Sequence, residues 1–386
     1  MQHTTGKLLK KKGQRSFRKI CILPAIRLST QRFIIVSDLF KIQIFTFAFL
    51  LNNTASYNFK TMQLKITTFN CENLFGRYRM LDMPWNKRPS GYEKRIQVFD
   101  VVALEPGRTG RIKPKEIAAV QRQTTADAIL EAAPDILAVQ EVENLPTLRL
   151  FNSMYCKNYF RQIICYEGND VRGIDVGLLI KHDVKAEVLA VKSHADESIN
   201  GGLLESSSRL NMRNMSKAVF SRDCLEVDIK IKSTIITFLV SHFKAQDGKA
   251  SSVQKRINQS KRTKELAAKA MQAGKKVIVL GDFNMDIKQA NYDNSIDEIY
   301  HYRKLADPFI HIASEDLWSH YYSSQRKVSR LDYILTDKSL HVSSVEFFRK
   351  GLTPACKKYK GERLQSMAGN GLEASDHCPA SIIVEI

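Results

Sequence analysis

With 386 residues the chain could hold two average domains, but large sandwich enzymes run past about 200 residues as one. Its seven cysteines are odd in number and include no Cys-x-x-Cys pair, which argues against a zinc module or disulfide framework and for reduced thiols in a cytoplasm-like compartment. The formal charge of +19 is uneven: residues 1–61 carry 11 Lys/Arg against the single acid Asp38 (+10), and residues 62–386 carry 48 against 39 (+9), a mildly basic balance that suits a polyanionic substrate.

In chain order, residues 7–19 form a basic run, and residues 33–51 are apolar but interrupted by Asp38 and Lys41. A charge near the middle of a membrane span costs about 2.5–3.5 kcal/mol, so a stable transmembrane helix is disfavoured. Three readings of residues 1–61 stay open, in this order: a real start at Met62, just ahead of the first strand; a disordered or loosely attached arm; and a secretion signal with residues 42–51 as its apolar part. The first two imply a cytoplasmic protein, the third a secreted one.

Residues 64–70 alternate and are rich in Ile, Thr and Phe, which predicts a strand. Residues 76–116 hold Pro84, Pro89, Gly91, Pro106, Gly107, Gly110 and Pro114 with several Lys and Arg, and read as a polar loop near the active rim. Helical spacing covers 115–131 and closes at Pro134. A strand at 135–140, a helix at 144–155, a strand at 174–180 and a Ser/Gly/Asn-rich loop at 192–215 follow. A strand pair is predicted at 224–231 and 234–240, then a basic amphipathic helix at 252–273 ending at Gly274, and strands at 277–280, 331–335, 342–348 and 380–385. No repeat of fixed period occurs. The α/β (α+β) pattern fits two packed mixed β-sheets flanked by helices, with residues 62–386 as one catalytic domain.

The apolar runs end in polar clusters. Asn70-Cys71-Glu72-Asn73 follows LKITTF, Gln140-Glu141 follows DILAV, Ser241-His242 follows TIITFLV, and Gly281-Asp282-Phe283-Asn284 follows KKVIVL. Arg330-Leu331-Asp332-Tyr333 opens another strand, and Asp376-His377 precedes the last one. Strands that bury apolar residues in sheets and converge their polar tips on one rim are what a metal-dependent phosphoester cleaver needs. On these six motifs, in order and at matching spacing, residues 64–386 resemble the endonuclease/exonuclease/phosphatase superfamily, which includes deoxyribonucleases, apurinic endonucleases, neutral sphingomyelinases and inositol polyphosphate phosphatases. The resemblance implies a four-layer sandwich and hydrolysis supported by Mg2+, with Mn2+ as an alternative.

A phosphodiester repels a nucleophile, so its hydrolysis requires neutralised non-bridging oxygens, a deprotonated water and a stabilised leaving oxygen. Magnesium takes oxygen ligands and keeps several waters, so one or two carboxylates suffice. Glu141 is the first expected ligand, as the family's strand-end glutamate is. Asn70, at the matching tip, is expected to orient the metal shell or a phosphate oxygen, and Glu72 to bind a metal water or support Asn70. The Ser-Asp-His-Cys-Pro run at 375–379 matches a family signature and makes His377 the expected base, since an imidazole titrates near neutrality and a carboxylate on its other nitrogen supplies the tautomer. The resemblance gives Asp332 as that partner and Asp376 as a metal- or phosphate-side group. Asp282 and Asn284, two apart on an extended strand end, are expected to face the same way. Asp282 would position the attacking water or bind a second metal, and Asn284 would donate to a phosphate oxygen. His242, which departs from the apurinic endonuclease branch, is expected to hold the scissile phosphate or protonate the leaving group, with Asp175 as its acidic partner. Arg172 and Lys244 are expected phosphate contacts.

A nuclease acting on DNA or RNA is the first reading, because basic stretches at 86–95, 108–115 and 255–264 are available to flank the site. The second is the same site working on another phosphoester, as a phosphatase or sphingomyelinase-like phospholipase; residues 62–386 show no apolar hairpin of the kind a lipid enzyme uses, and no stable membrane partner is expected. The third is a nucleic-acid-binding module without catalysis. The intact acid and His set argues against it, because binding needs only Lys, Arg and aromatic residues.

Overall fold

The computed structural model describes residues 62–74, 102–106, 112–116, 119–170, 173–204, 217–367 and 372–386. Residues 1–61, Arg172, and the basic stretch 86–95 lie outside the described residues. The segment predicted as a polar loop, 76–116, contains two paired strands instead: β2 (Val102–Pro106) pairs antiparallel with β3 (Ile112–Glu116).

One six-stranded sheet takes β1 (Gln63–Leu74), β4 (Ile136–Val142), β5 (Phe160–Tyr166), β6 (Asp175–Lys181), β15 (His341–Phe347) and β16 (Ala380–Glu385), in the order β15-β16-β1-β4-β6-β5. The other takes β7 (Ala186–Lys192), β8 (Cys224–Ile231), β9 (Thr234–His242), β10 (Lys276–Asp282), β11 (Leu305–Ala306) and β14 (Asp332–Asp337), in the order β11-β14-β10-β9-β8-β7. Each sheet has a parallel pair near its centre, β1/β4 and β10/β9, with antiparallel neighbours. Helices α1 (Ala119–Ala132) and α2 (Leu145–Met154) cover the first sheet, and α3 (Ala250–Gln272) covers the second.

Alternation along the strands builds three apolar layers between these four. Leu64, Ile66, Ile136, Ala138, Val176 and Leu178 of the first sheet meet Leu225, Val227, Phe238, Val240, Ile278, Leu280 and Ile334 of the second. The alternate residues Phe69, Leu137 and Val139 face Ile129, Leu148 and Phe151 of the helices, while Leu239, Val277, Val279 and Tyr333 face Leu266 and Ala270 of α3. The fold is therefore the four-layer α/β sandwich. Three edge strands that the pattern did not reveal complete it: the two-residue β11, and β5 and β7, which are both half-exposed along their length. The described cysteines are all unpaired, and no helix among the described residues is long and apolar enough to cross a membrane.

Candidate active site

The topology brings the polar strand ends to one rim. In a parallel pair both C-terminal ends lie together, so Asn70 stands beside Gln140 and Asp282 beside His242. Their antiparallel neighbours begin where these strands end: Asp332 opens β14 opposite Asp282, and β16 begins just after His377. Asn70, His242, Asp282 and Asp332 also continue the inward-facing series of their strands (Leu64-Ile66, Phe238-Val240, Ile278-Leu280 and Ile334). The site is thus the polar end of the layer between the sheets.

Asp282 is its centre. Its Oδ2 accepts from Asn70 Nδ2 of the opposite sheet at 3.0 Å and from Asn284 Nδ2 at 3.1 Å, and it lies 3.4 Å from His242 Nε2 and 3.9 Å from His377 Nε2. Burial pushes the Asp282 carboxyl up, but His242 and His377 outweigh it and hold the group well below the usual carboxylate range. His377 Nδ1 meets Asp332 Oδ2 at 2.8 Å. Burial opposes charge on this imidazole, yet Asp332, Asp376 and Asp282 together raise its pKa well above the ordinary value. Glu141 Oε1 lies 4.0 Å from His242 Nε2, which links the two sheets a second time.

The backbone supporting these groups is shaped locally. Glu141 would face outward by strict alternation, but it occupies a bulge between Gln140 and Val142 and a left-handed φ of 59°, which turns it to the rim. Glu72 and Asn284 hold φ of 45° and 52°, a conformation that costs energy outside glycine and recurs at functional sites. Gly281 is required: a Cβ there would lie 1.8 Å from the Ser241 carbonyl oxygen of the neighbouring strand. Behind the rim, Phe243, Phe283 and Tyr333 stack at 4.7 and 5.1 Å. Each directly follows a site residue, so one aromatic column fixes His242, Asp282 and Asp332 together, each ring pair adding about 0.5–1.5 kcal/mol.

Two expectations need correction. Asp175 does not partner His242: it stands on the opposite parity from the inward Val176 and Leu178, and its Oδ1 accepts from the Gly168 amide at 2.8 Å. The His242 Nε2 faces Asp282 and Glu141 instead, and its Nδ1 has no hydrogen-bond partner. Asn284 does not extend the strand beside Asp282. β10 ends at Asp282, and Asn284 folds back so that its amide N–H donates to Asp282 Oδ1 at 2.7 Å while Nδ2 also reaches Phe243 O. Lys244 sits just past His242 with its backbone N–H on Gln259 Oε1, and its charge acts on Asp247 and Lys255, on the α3 side of the rim.

The hairpin of β12 (His320–Tyr322) and β13 (Lys327–Ser329) contributes what sequence reading missed. Ser319 Oγ donates to Asp332 Oδ2 at 2.7 Å and accepts the Leu331 and Asp332 amides, so it orients the carboxylate that orients His377. Tyr321 N–H donates to Asp376 O and Cys378 N–H to Ser319 O, pinning the Asp-His segment against the hairpin. The run Trp318-Ser319-His320-Tyr321, whose Ser319 stands thirteen positions ahead of Asp332, was the available signal: a Ser and a His between two aromatics.

Oxygen donors for a hard cation gather on the first sheet's side. Asn70 Oδ1 accepts the Glu72 amide, and Glu72 Oε2 accepts the Asp376 amide. Burial, then Asp376 and Glu373, with a smaller push from Glu141, raise the Glu72 carboxyl to about 8. Carboxylates so crowded repel one another, and a divalent cation would relieve that repulsion; Glu141, Glu72 and Asn70 offer oxygen donors of the kind magnesium prefers.

Known structures share this architecture at low identity. An endonuclease/exonuclease/phosphatase family protein from Bacteroides thetaiotaomicron is 14% identical with a TM-score of 0.51, covering 84% of this chain and 98% of that one. A mannosyl-6-phosphatase from Bacteroides thetaiotaomicron is 15% identical (TM-score 0.52; 83% and 99%), and the human Nocturnin catalytic domain 14% (0.51; 84% and 97%). Such likeness shows the fold alone. No curated protein sequence matches the chain. Residues 109–385, well over half the chain, match the model of the Endonuclease/Exonuclease/phosphatase family, and the chain is therefore a member of that family of metal-dependent phosphoester hydrolases.

Proposed function

We propose that residues 62–386 form a magnesium-dependent phosphodiesterase in which His377 activates water, with nucleic acid as the preferred substrate class. One observation carries the reading: a buried imidazole whose Nδ1 is fixed by Asp332 at 2.8 Å turns its Nε2 to a rim shared with Asp282 and Asp376. In its neutral form, with the remaining proton on Nδ1, His377 presents a lone pair at Nε2 and takes a proton from water there; a cation at the rim would offset the acids that otherwise favour the imidazolium. Asp332 then stabilises the imidazolium, and Ser319 keeps Asp332 in place. Asp282 orients the water, Asn70 and Asn284 orient Asp282, and His242 faces the scissile phosphate. Glu141, with Asn70 and Glu72, would hold Mg2+, which supplies Lewis acidity for the non-bridging oxygens.

The +9 balance of residues 62–386 supports a polyanionic substrate. A second reading, a small phosphomonoester such as the substrate class named for the mannosyl-6-phosphatase relative, gains from one finding. The basic stretch 255–264 of α3 is largely engaged within the protein: Arg256 is buried against Asp293, Arg262 binds Glu197, Lys264 pairs with Glu298 and Lys255 donates to Ala218 O. Those groups do not form a track for a nucleic-acid backbone. Supercoiled plasmid, RNA, a sugar phosphomonoester and sphingomyelin, each with Mg2+ and with EDTA, separate the readings. Chelator-sensitive nicking of plasmid is expected; turnover of the monoester alone moves the assignment to the second reading, and duplex binding without turnover of anything sinks both.

A further inference from the structure

Beside the oxygen set lies a second group of different chemistry: His320, Asp376 and His377, whose ligand atoms lie within 4.8 Å of one another. We infer that these three side chains form a binding site for a borderline transition metal of the zinc class, distinct in donor type from the oxygen set of Glu141, Glu72 and Asn70, and that filling it switches hydrolysis off. The inference rests on the proposed role of His377 as base.

The geometry is that of a built ligand set. Both imidazoles have Nδ1 anchored, His377 on Asp332 Oδ2 at 2.8 Å and His320 on Ser329 Oγ at 3.1 Å. Each therefore turns Nε2 outward with its ring held, the arrangement by which outer groups orient metal-binding histidines. The two Nε2 atoms flank one carboxylate: His377 lies 3.8 Å from Asp376 Oδ1 and His320 3.6 Å from Asp376 Oδ2. A tetrahedral zinc with bonds of about 2.0–2.1 Å separates its ligand atoms by roughly 3.3 Å, so small rotations close the set. The imidazole rings lie 4.6 Å apart, and a backbone bridge between His320 and His377 holds them side by side. Asp376 keeps 35% of its side chain exposed while the histidines are nearly covered, which leaves a solvent approach and room for a further ligand.

Two imidazoles and one carboxylate select zinc, cobalt or nickel over magnesium, which favours oxygen alone. The two metals therefore sort themselves by donor type, and millimolar magnesium does not displace zinc from nitrogen. The consequence follows from one atom: Nε2 of His377 cannot ligate a metal and accept a proton from water in the same state. Zinc here lowers turnover without competing for the Glu141 side of the rim.

The test is titration of the intact chain with Zn2+, and with Co2+ as a spectroscopic probe, in excess Mg2+. One Zn2+ per chain, a Co2+ visible spectrum of four- or five-coordinate type, and loss of Mg2+-supported hydrolysis in step with occupancy are expected. His320→Gln should bind Zn2+ at least about 10²-fold more weakly, as expected for removing a ligand, and should hydrolyse with Mg2+ while resisting Zn2+. Asp376→Asn, judged by binding and spectrum only, serves if His320→Gln does not fold. Zn2+ binding unchanged in both variants, or abolished by Mg2+ in the parent, overturns the site. The spectrum is read without any substrate, so a chain that binds Co2+ but hydrolyses nothing refutes the switch and the hydrolase reading while leaving the ligand set standing. A chain that hydrolyses and ignores Zn2+ refutes the site alone.

Discussion

His377 and His194 are both buried imidazoles held on carboxylates, yet the charges around them are balanced differently. His194 lies between Glu197 at 2.8 Å and Glu226 at 2.9 Å, and each glutamate has its own cation: Arg262 grips Glu197 through two nitrogens, and Lys192 binds Glu226 at 2.7 Å. Around His377, the ion pairs of Asp282, Asp332 and Asp376 among the described residues run only to imidazoles: His242, His320 and His377 itself. A chain of alternating charges closes on itself and stabilises a loop. A surplus of acids beside titratable rings leaves capacity for a cation and for a proton. Perturbed histidines alone do not mark a site; an uncompensated anionic surround does.

The comparison breaks most readily at His377. Replacing it with Ala should lower turnover between about 10²- and 10⁴-fold, the span for losing a general base, while His194→Ala should leave turnover within about twofold of the parent. Steady-state rates on whichever phosphoester is cleaved decide it, and equal losses in the two variants would erase the distinction. Gly281→Ala should cost at least about 3 kcal/mol, because its Cβ would collide with Ser241 O and an L-residue is strained at φ 141°. Denaturant unfolding measures this, and a shift under 1 kcal/mol (roughly the cost of ordinary substitutions) would mean that the strands spread freely. Asp332→Asn keeps the shape but weakens the hold on the His377 tautomer, and should reduce turnover by at least about 10-fold; a smaller loss at low pH than at high pH, because the less stabilised imidazolium gives up its proton at lower pH and leaves the base free, is the signature of this role.

The smallest effect sharpens the His194 side. Burial disfavours charge on His194, but Glu197 and Glu226 raise its pKa from 6.5 to about 9. Its contribution to stability is therefore complete below 6.5 and is lost as pH rises through about 9. Glu197 and Glu226 are lowered from 4.5 to about 2, against burial in the first and chiefly by His194 in the second, so their share is present above 4.5 and lost as pH falls toward 2. The network should stabilise most between 4.5 and 6.5. His194→Gln should lower the melting temperature by about 2–5 °C in that window and by little above pH 9. A difference that does not change with pH would show that charge plays no part.

Much of the fold could be read from the chain because its signals are local. The runs ending in Asn70, Gln140, His242 and Asp282 are short, apolar and rich in β-branched residues, and all are deeply buried strands here. The edge strands β5 and β7 escaped because an edge faces solvent and carries little apolar pattern: Leu189 and Val191 of β7 are exposed, while Arg161 and Tyr166 punctuate β5. The basic stretch 255–264 looked like a surface for phosphates, yet Arg256 is among the most buried side chains of the protein. Composition counts charges and does not say which of them meet an acid.

What the sequence determined alone is the set of strands and the kinds of side chain at their tips, because β alternation and the chemistry of each residue type are local properties. The tertiary structure decided which tips meet. It turned Glu141 inward through a bulge, left Asp175 on the outer parity, folded Asn284 back on Asp282, and brought Ser319 and His320 to Asp332 and Asp376 from a hairpin with no family motif. Those outcomes depend on strand pairing and register between segments far apart in the chain, where a single residue of slip exchanges one face for the other.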